Sequence, residues 1–182
     1  INTYECGAPE FFTGAKLVGL PGQDFKLEPG QLDEALALAG RGNPTRVQPF
    51  ALNITQPTDF GTLYTVAEVA ALCEVAHRHG LRVHMDGARF ANAVAALRCS
   101  PADLTWRSGV DVLSLGATKN GAINAEAVVV FDRTLAREIP YRMKRGGQVL
   151  SKARFVSAQL ERYLADDHWL ERARQANANA AA

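Results

Sequence analysis

Cysteine is scarce in this sequence, net charge is close to zero, and no long apolar run occurs. The three cysteines, Cys6, Cys73 and Cys99, stand far apart with no C-x-x-C pair. That spacing argues against a disulfide framework or a zinc site and leaves reduced thiols that pack as small hydrophobes. No apolar stretch approaches the ~18 residues of a membrane span, and no basic segment leading into an apolar one opens the chain, so the expected location is the cytoplasm. Lys and Arg total 20 against 19 Asp and Glu. Such a balance gives no electrostatic footprint for nucleic acid or an anionic membrane. Internal repeats and low-complexity linkers are also missing.

What remains is a chain of 182 residues, 47% apolar, long enough for one well-buried domain. It opens at Ile1 without a methionine and closes on Asn177-Ala178-Asn179-Ala180 while still patterned as helix, so it reads as the interior of a longer protein.

Along the chain, residues 1–26 are rich in Gly, Pro and aromatics and read as irregular. Residues 31–39 form a short leucine-bearing helix stopped by Gly40 and Gly42. Residues 47–55 read as a buried strand ending at Gln56-Pro57. Thr65-Val66-Ala67-Glu68 is a capping box, and Val66, Val69, Ala70, Cys73 and Ala76 make one apolar stripe before Gly80 closes the helix. A strand at 82–86 follows at once. Strand, amphipathic helix and strand in that order make a right-handed crossover, so these two strands are expected to be parallel. A second crossover through residues 90–97 leads to a strand at 110–115. Ten residues separate Leu115 from the next strand, at 126–131, too few for a parallel return, so that strand is expected to be antiparallel. Asp132 reads as an N-cap. A helix from Ser151 is expected to bury Phe155, Val156, Leu160, Tyr163 and Leu164, and another helix begins near Asp167.

Two polar signatures stand at strand ends. Asp86-Gly87-Ala88-Arg89 follows Val83-His84-Met85, and Gly116-Ala117-Thr118-Lys119-Asn120-Gly121 follows the strand ending at Leu115, with Lys119 33 positions after Asp86. In open α/β sheets ligands bind outside the carboxyl ends of parallel strands, and both signatures fall on that edge. A carboxylate and a glycine-flanked lysine there are what pyridoxal 5'-phosphate (PLP) needs: an amine for its aldehyde and an acid that keeps the pyridine nitrogen protonated.

Each residue has a plainer reading. A lysine between glycines is ordinarily a solvated turn residue, and Asp-Gly at a strand end is an ordinary turn. The Gly116 to Gly121 loop is not a nucleotide-binding phosphate loop, because its lysine precedes the second glycine and no Lys-Ser/Thr pair follows. His84 shares a strand face with Asp86 and reads as a packed or supporting histidine. His77 and His79 suit the dipole of a helix's last turn, and His168 has no visible partner. The basic run Arg142, Lys144, Arg145 reads as a solvated face.

Taken together, His84-Met85-Asp86-Gly87-Ala88-Arg89-Phe90-Ala91-Asn92-Ala93 resembles the H-x-D-G-A-R-x-x-N-A signature of threonine aldolases. These are fold type I PLP enzymes of the aromatic amino acid β-eliminating lyase and threonine aldolase group. The segment from Asp111 to Gly121 resembles the lysine loop of the low-specificity, phenylserine-cleaving bacterial branch, and Tyr4-Glu5-Cys6-Gly7-Ala8-Pro9-Glu10 and Lys144-Arg145-Gly146-Gly147-Gln148 fit it too. The resemblance covers essentially the whole chain. It implies an α/β fold with a mostly parallel sheet, one antiparallel strand and helices on both faces, an incomplete fold type I large domain. Residues 1–182 would be its central part, with an amino-terminal segment and a carboxyl-terminal small domain outside it.

By the same resemblance Lys119 carries the Schiff base to pyridoxal 5'-phosphate and Asp86 pairs with the pyridinium nitrogen. Arg89 contacts the cofactor's phenolic oxygen and the substrate carboxylate, and Thr118 reaches the phosphate. The implied reaction cleaves β-hydroxy-α-amino acids (threonine, allo-threonine, phenylserine) to glycine and an aldehyde, in a homo-oligomer, dimer or tetramer, with no metal. Where many relatives carry a histidine this chain has Gln56, so no base is assigned there. The alternatives are another PLP-dependent β-eliminating lyase and a cofactor-free α/β binding module.

Overall fold

A computed structural model describes residues 4–182, so Ile1, Asn2 and Thr3 at the head of the opening segment lie outside it. Helices α1 (Ala8–Thr13) and α2 (Pro29–Leu38) precede strand β1 (Ala51–Thr55), helix α3 (Val66–Arg78), strand β2 (Arg82–Gly87) and helix α4 (Phe90–Leu97). Strands β3 (Val112–Gly116) and β4 (Glu126–Val130) lead to helices α5 (Arg133–Ala136), α6 (Ile139–Arg145), α7 (Arg154–Leu164) and α8 (His168–Ala180). The four strands form one sheet in the order β1-β2-β3-β4. The pairs β1/β2 and β2/β3 are parallel and β3/β4 is antiparallel, as the connection lengths require.

Helix α3 begins where the capping box predicts. The Glu68 amide donates to the Thr65 hydroxyl at 3.2 Å, and the Thr65 amide donates to the Glu68 carboxylate at 2.7 Å. It ends at Gly80, whose φ of +72° suits only glycine well and whose amide donates to His77 O at 2.8 Å. Val69, Leu72, Cys73 and Ala76 of α3 and Phe90, Ala91 and Val94 of α4 are buried, together with Leu52, Ile54, Val83, Met85 and Leu113 of the sheet. Full burial of an aliphatic side chain such as Leu72 contributes about 1.5–3 kcal/mol. Alternation puts Asn53, His84 and Ser114 on the other face. That face is more accessible, with Val128 of β4 at 55% exposure.

Three expectations change. The opening segment is not irregular throughout, because Gly7 (φ 71°), Pro9 in the first turn and Gly14 (φ 66°) bound α1 instead of preventing it. The first strand covers only Ala51–Thr55, since Val47 and Phe50 find no buried partner and stay exposed. Helix α7 starts at Arg154, after Lys152 takes a left-handed φ of 64°. It buries Tyr163 and partly buries Val156 and Leu160, while Phe155 and Leu164 remain exposed at the flanks of the stripe. Among the described residues no helix is long and apolar enough to cross a membrane.

Candidate active site

Asp86 stands near the carboxyl end of β2, and one of its oxygens, Oδ1, accepts the Ala88 amide at 3.0 Å. This local turn fixes the carboxylate and leaves its second oxygen without a partner among the described residues. The chain then turns into α4 with Arg89 at its N-cap. The Arg89 guanidinium is about half exposed, and its Nη1 lies 3.7 Å from Asp59 Oδ1, in the loop after β1.

Two glycines let this turn meet the lysine loop. A Cβ on Gly87 would stand 2.7 Å from Ser114 O and 3.0 Å from Phe90 Cβ, and one on Gly116 would stand 2.5 Å from Ala88 O. Only backbones without side chains pack this closely. The Asp86 to Arg89 turn and the start of the Gly116 to Gly121 loop are therefore brought together at one edge of the sheet.

Lys119 sits in a 3₁₀ turn, Thr118–Asn120, with its side chain exposed. The Thr118 hydroxyl accepts the Ala125 amide at 3.1 Å and donates to Ala125 O at 3.4 Å, which ties the loop to the start of β4. Asn120 is buried and points the opposite way. Its side-chain Nδ2 donates to the Tyr163 hydroxyl at 2.9 Å and to Trp169 O at 2.8 Å. Gln159 of α7 adds a side-chain oxygen that accepts the amides of Ile123 and Asn124. Burial pushes the Tyr163 phenol above its ordinary value, so it stays protonated.

Beneath Asp86 on the same face, His84 bridges three strands. Its Nδ1 lies 2.6 Å from Asn53 Oδ1 and its Nε2 lies 2.8 Å from Ser114 Oγ. Asn53 accepts from Nδ1–H, and the Ser114 hydroxyl donates to Nε2. Burial pushes the His84 pKa down, with the Asp86 carboxylate opposing, so the ring is held neutral.

Other candidates have structural partners. Gln56 is fully buried: its side-chain amide nitrogen, Nε2, donates to Tyr64 O at 2.6 Å and its Oε1 accepts the Tyr64 amide at 3.0 Å, which closes the loop carrying Asp59. His77 pairs with buried Asp111 at 2.9 Å, and His79 with Asp33 at 2.6 Å. His168, expected to lack a partner, accepts from Arg172 Nε at 2.8 Å. Arg142, Lys144 and Arg145 are exposed on α6. Burial pushes the Cys73 thiol up to about 12 and raises Cys99 as well, so neither is a thiolate nucleophile near neutral pH. Among the described residues no group of three His, Cys, Asp or Glu could hold a metal ion.

The residues that sequence reasoning missed are Asp59, Asn120, Gln159, Tyr163 as a polar group, and Trp169. An asparagine immediately after the lysine, between two glycines, was the one local signal.

The family model described as beta-eliminating lyase matches residues 1–182. The chain is 45% identical over 178 residues to a low specificity L-threonine aldolase of Pseudomonas sp., covering 97% of this chain and 51% of that protein. It is 45% identical over 179 residues to a low specificity L-threonine aldolase of Pseudomonas aeruginosa, with the same coverage of 97% and 51%. The chain thus spans about half the length of the curated relatives it matches. Among solved structures, a threonine aldolase of Leishmania major superposes with a TM-score of 0.88 at 30% identity, over 98% of this chain and 52% of that one. A putative L-allo-threonine aldolase of Listeria monocytogenes superposes with a TM-score of 0.70 at 14% identity, over 95% and 45%, a likeness of fold alone.

Proposed function

Since the chain belongs to the beta-eliminating lyase family, we propose that it is the central part of a PLP-binding large domain and cleaves β-hydroxy-α-amino acids such as threonine, allo-threonine and phenylserine to glycine and an aldehyde. The observation that carries this reading is the close packing of Gly116 on Ala88, which holds the Asp86 to Arg89 turn beside the loop of Lys119. The relatives' activity favours aldol cleavage over other lyase reactions.

The donor set fits pyridoxal 5'-phosphate: an exposed amine, a carboxylate with one oxygen unspent, a guanidinium and a hydroxyl stand on adjoining loops. When bound, the cofactor supplies an aldehyde for an amine and a pyridinium ring that withdraws electrons from the substrate's Cα. Lys119 provides the amine that holds it. Asp86, braced by the Ala88 amide, keeps the ring nitrogen protonated. Thr118 spends its hydroxyl proton on a long 3.4 Å bond to Ala125 O and would be free to give it to an anionic phosphate oxygen instead.

Arg89 grips the substrate carboxylate, exchanging its loose contact with Asp59 for two parallel hydrogen bonds. That grip would orient the substrate, and its orientation would decide which Cα bond is broken. Lys119, whose side chain is exposed, would also be the amine available to return a proton to the substrate's Cα. The β-hydroxyl needs a base to take its proton; Gln56 is spent on Tyr64 and cannot serve. We further propose a cytoplasmic homo-oligomer, dimer or tetramer, that binds neither nucleic acid nor membrane. The near-neutral charge balance supports the last point.

Borohydride reduction of the PLP-treated full-length protein, followed by peptide mapping, tests the reading. The expected result is one cofactor-bearing peptide labelled at Lys119. A label on another lysine, or none, overturns it, and the unlabelled outcome favours a cofactor-free module.

A further inference from the structure

We propose that Asn120 is a positioning residue for Lys119: by holding both hydrogens of its side-chain amide on α7 and α8, it makes these helices set where the neighbouring lysine amine stands. This rests on the reading of Lys119 as the cofactor-binding lysine. The exposed Lys119 side chain is not itself held by packing, so its amine is placed by the backbone of its turn. That turn ends at Gly121 with a φ of 113°, a conformation that gives it freedom unless something outside fixes it.

Thr118 ties the start of the turn to β4, and Asn120 fixes its far end. Its Nδ2 has two hydrogens, and two oxygens receive them, Tyr163 Oη at 2.9 Å and Trp169 O at 2.8 Å. With both donors spent in a buried site, the side chain has one orientation. The Tyr163 hydroxyl lies 3.4 Å from Gly116 O and donates to it, so one phenol bridges the first and fifth residues of the lysine loop. A Cβ at Gly121 would stand 3.2 Å from Arg172 Cδ, which shows how closely α8 covers the loop's far end.

The same helix reaches the other half of the site. Trp169 stacks near Phe90, with ring centroids 6.3 Å apart and planes at 15°. Phe90 is the residue after Arg89, at the start of α4. Asn92 of α4 and Asn177 of α8 exchange two further hydrogen bonds, at 2.9 and 3.0 Å. Helix α8 therefore touches both the lysine loop and the helix that carries Arg89, and Asn120 is its link to the lysine.

The test compares the rate at which pyridoxal 5'-phosphate attaches to Lys119, trapped by borohydride and read by peptide mapping, in the full-length apoprotein and three variants. Asn120→Ala removes the link. Tyr163→Phe removes one hydroxyl with little change of shape, and serves as the deciding variant if Asn120→Ala does not fold. Asn177→Ala loosens α8 from α4 without touching the loop. The expected result is labelling slowed roughly 10- to 100-fold in Asn120→Ala, the scale a displacement of about 1 Å imposes on positioned groups. Tyr163→Phe should be slowed less, and Asn177→Ala should label like the parent. Parental labelling in Tyr163→Phe and in folded Asn120→Ala overturns the inference, as does equal slowing in Asn177→Ala, which would signify general loosening. Absence of label at Lys119 in the parent itself removes the functional reading, and this inference with it.

Discussion

Gly116 lies so close to Ala88 that a Cβ at Gly116 would stand 2.5 Å from the Ala88 carbonyl oxygen and 2.7 Å from its Cα. Both atoms are backbone, so no rotamer change relieves the clash. Gly116→Ala should push the lysine loop away from the Asp86 turn and destabilise the protein by about 1–3 kcal/mol, the usual cost of overpacking. Urea unfolding measures this, and a variant as stable as the parent would show that the two loops are free to separate.

Lys119→Ala separates chemistry from folding. The side chain is exposed in a turn held by Thr118 and Asn120, so stability should change by no more than about 0.5 kcal/mol. Borohydride should nevertheless fix no cofactor to the variant. A trapped adduct at another lysine in this variant would identify a different anchor.

Substitutions at Arg89 and Asp86 should fail in different ways. Arg89→Lys keeps the charge and loses the fork, so kcat/KM for a β-hydroxy amino acid should fall sharply while cofactor retention is preserved. Asp86→Ala should weaken cofactor retention itself. Unchanged kcat/KM in Arg89→Lys would remove the carboxylate role.

Stability should also fall with acid through His84. Burial holds its folded-state pKa below the ordinary 6.5, against the partial opposition of Asp86. As the pH drops through that value the unfolded chain takes up a proton that the folded ring refuses. The histidine's contribution is therefore fully present above about pH 6.5 and is lost as pH falls towards the folded-state pKa. Urea midpoints at about pH 7.5 and about pH 5.5 should differ less for His84→Gln than for the parent. Equal differences would mean that His84 titrates normally.

Much of this arrangement could be read from sequence because the deciding features are local. Nine residues between β3 and β4 force their antiparallel reversal, and Thr65 and Glu68 announce the start of α3. The placement of Asp86 and Lys119 on one edge was legible because one lies near the end of β2 and the other just past the end of β3, and the ends of parallel strands share an edge. What was not legible depends on partners far along the chain. Asn120 meets Tyr163 and Trp169 across 43 and 49 residues, and His77 meets Asp111 across 34. Periodicity assigned Phe155 and Leu164 to the apolar side of α7, but it could not say that the flanks of that stripe find no cover. Helix α1 was hidden because Gly and Pro, read as breakers, serve there as its boundaries.

The most direct measurement is of the products made by the PLP-loaded full-length protein from threonine and from phenylserine. The account predicts glycine and the matching aldehyde in equal amounts, with none formed by Lys119→Ala. Ammonia and a keto acid in place of glycine would make the protein a β-eliminating lyase of another kind and would contradict the account.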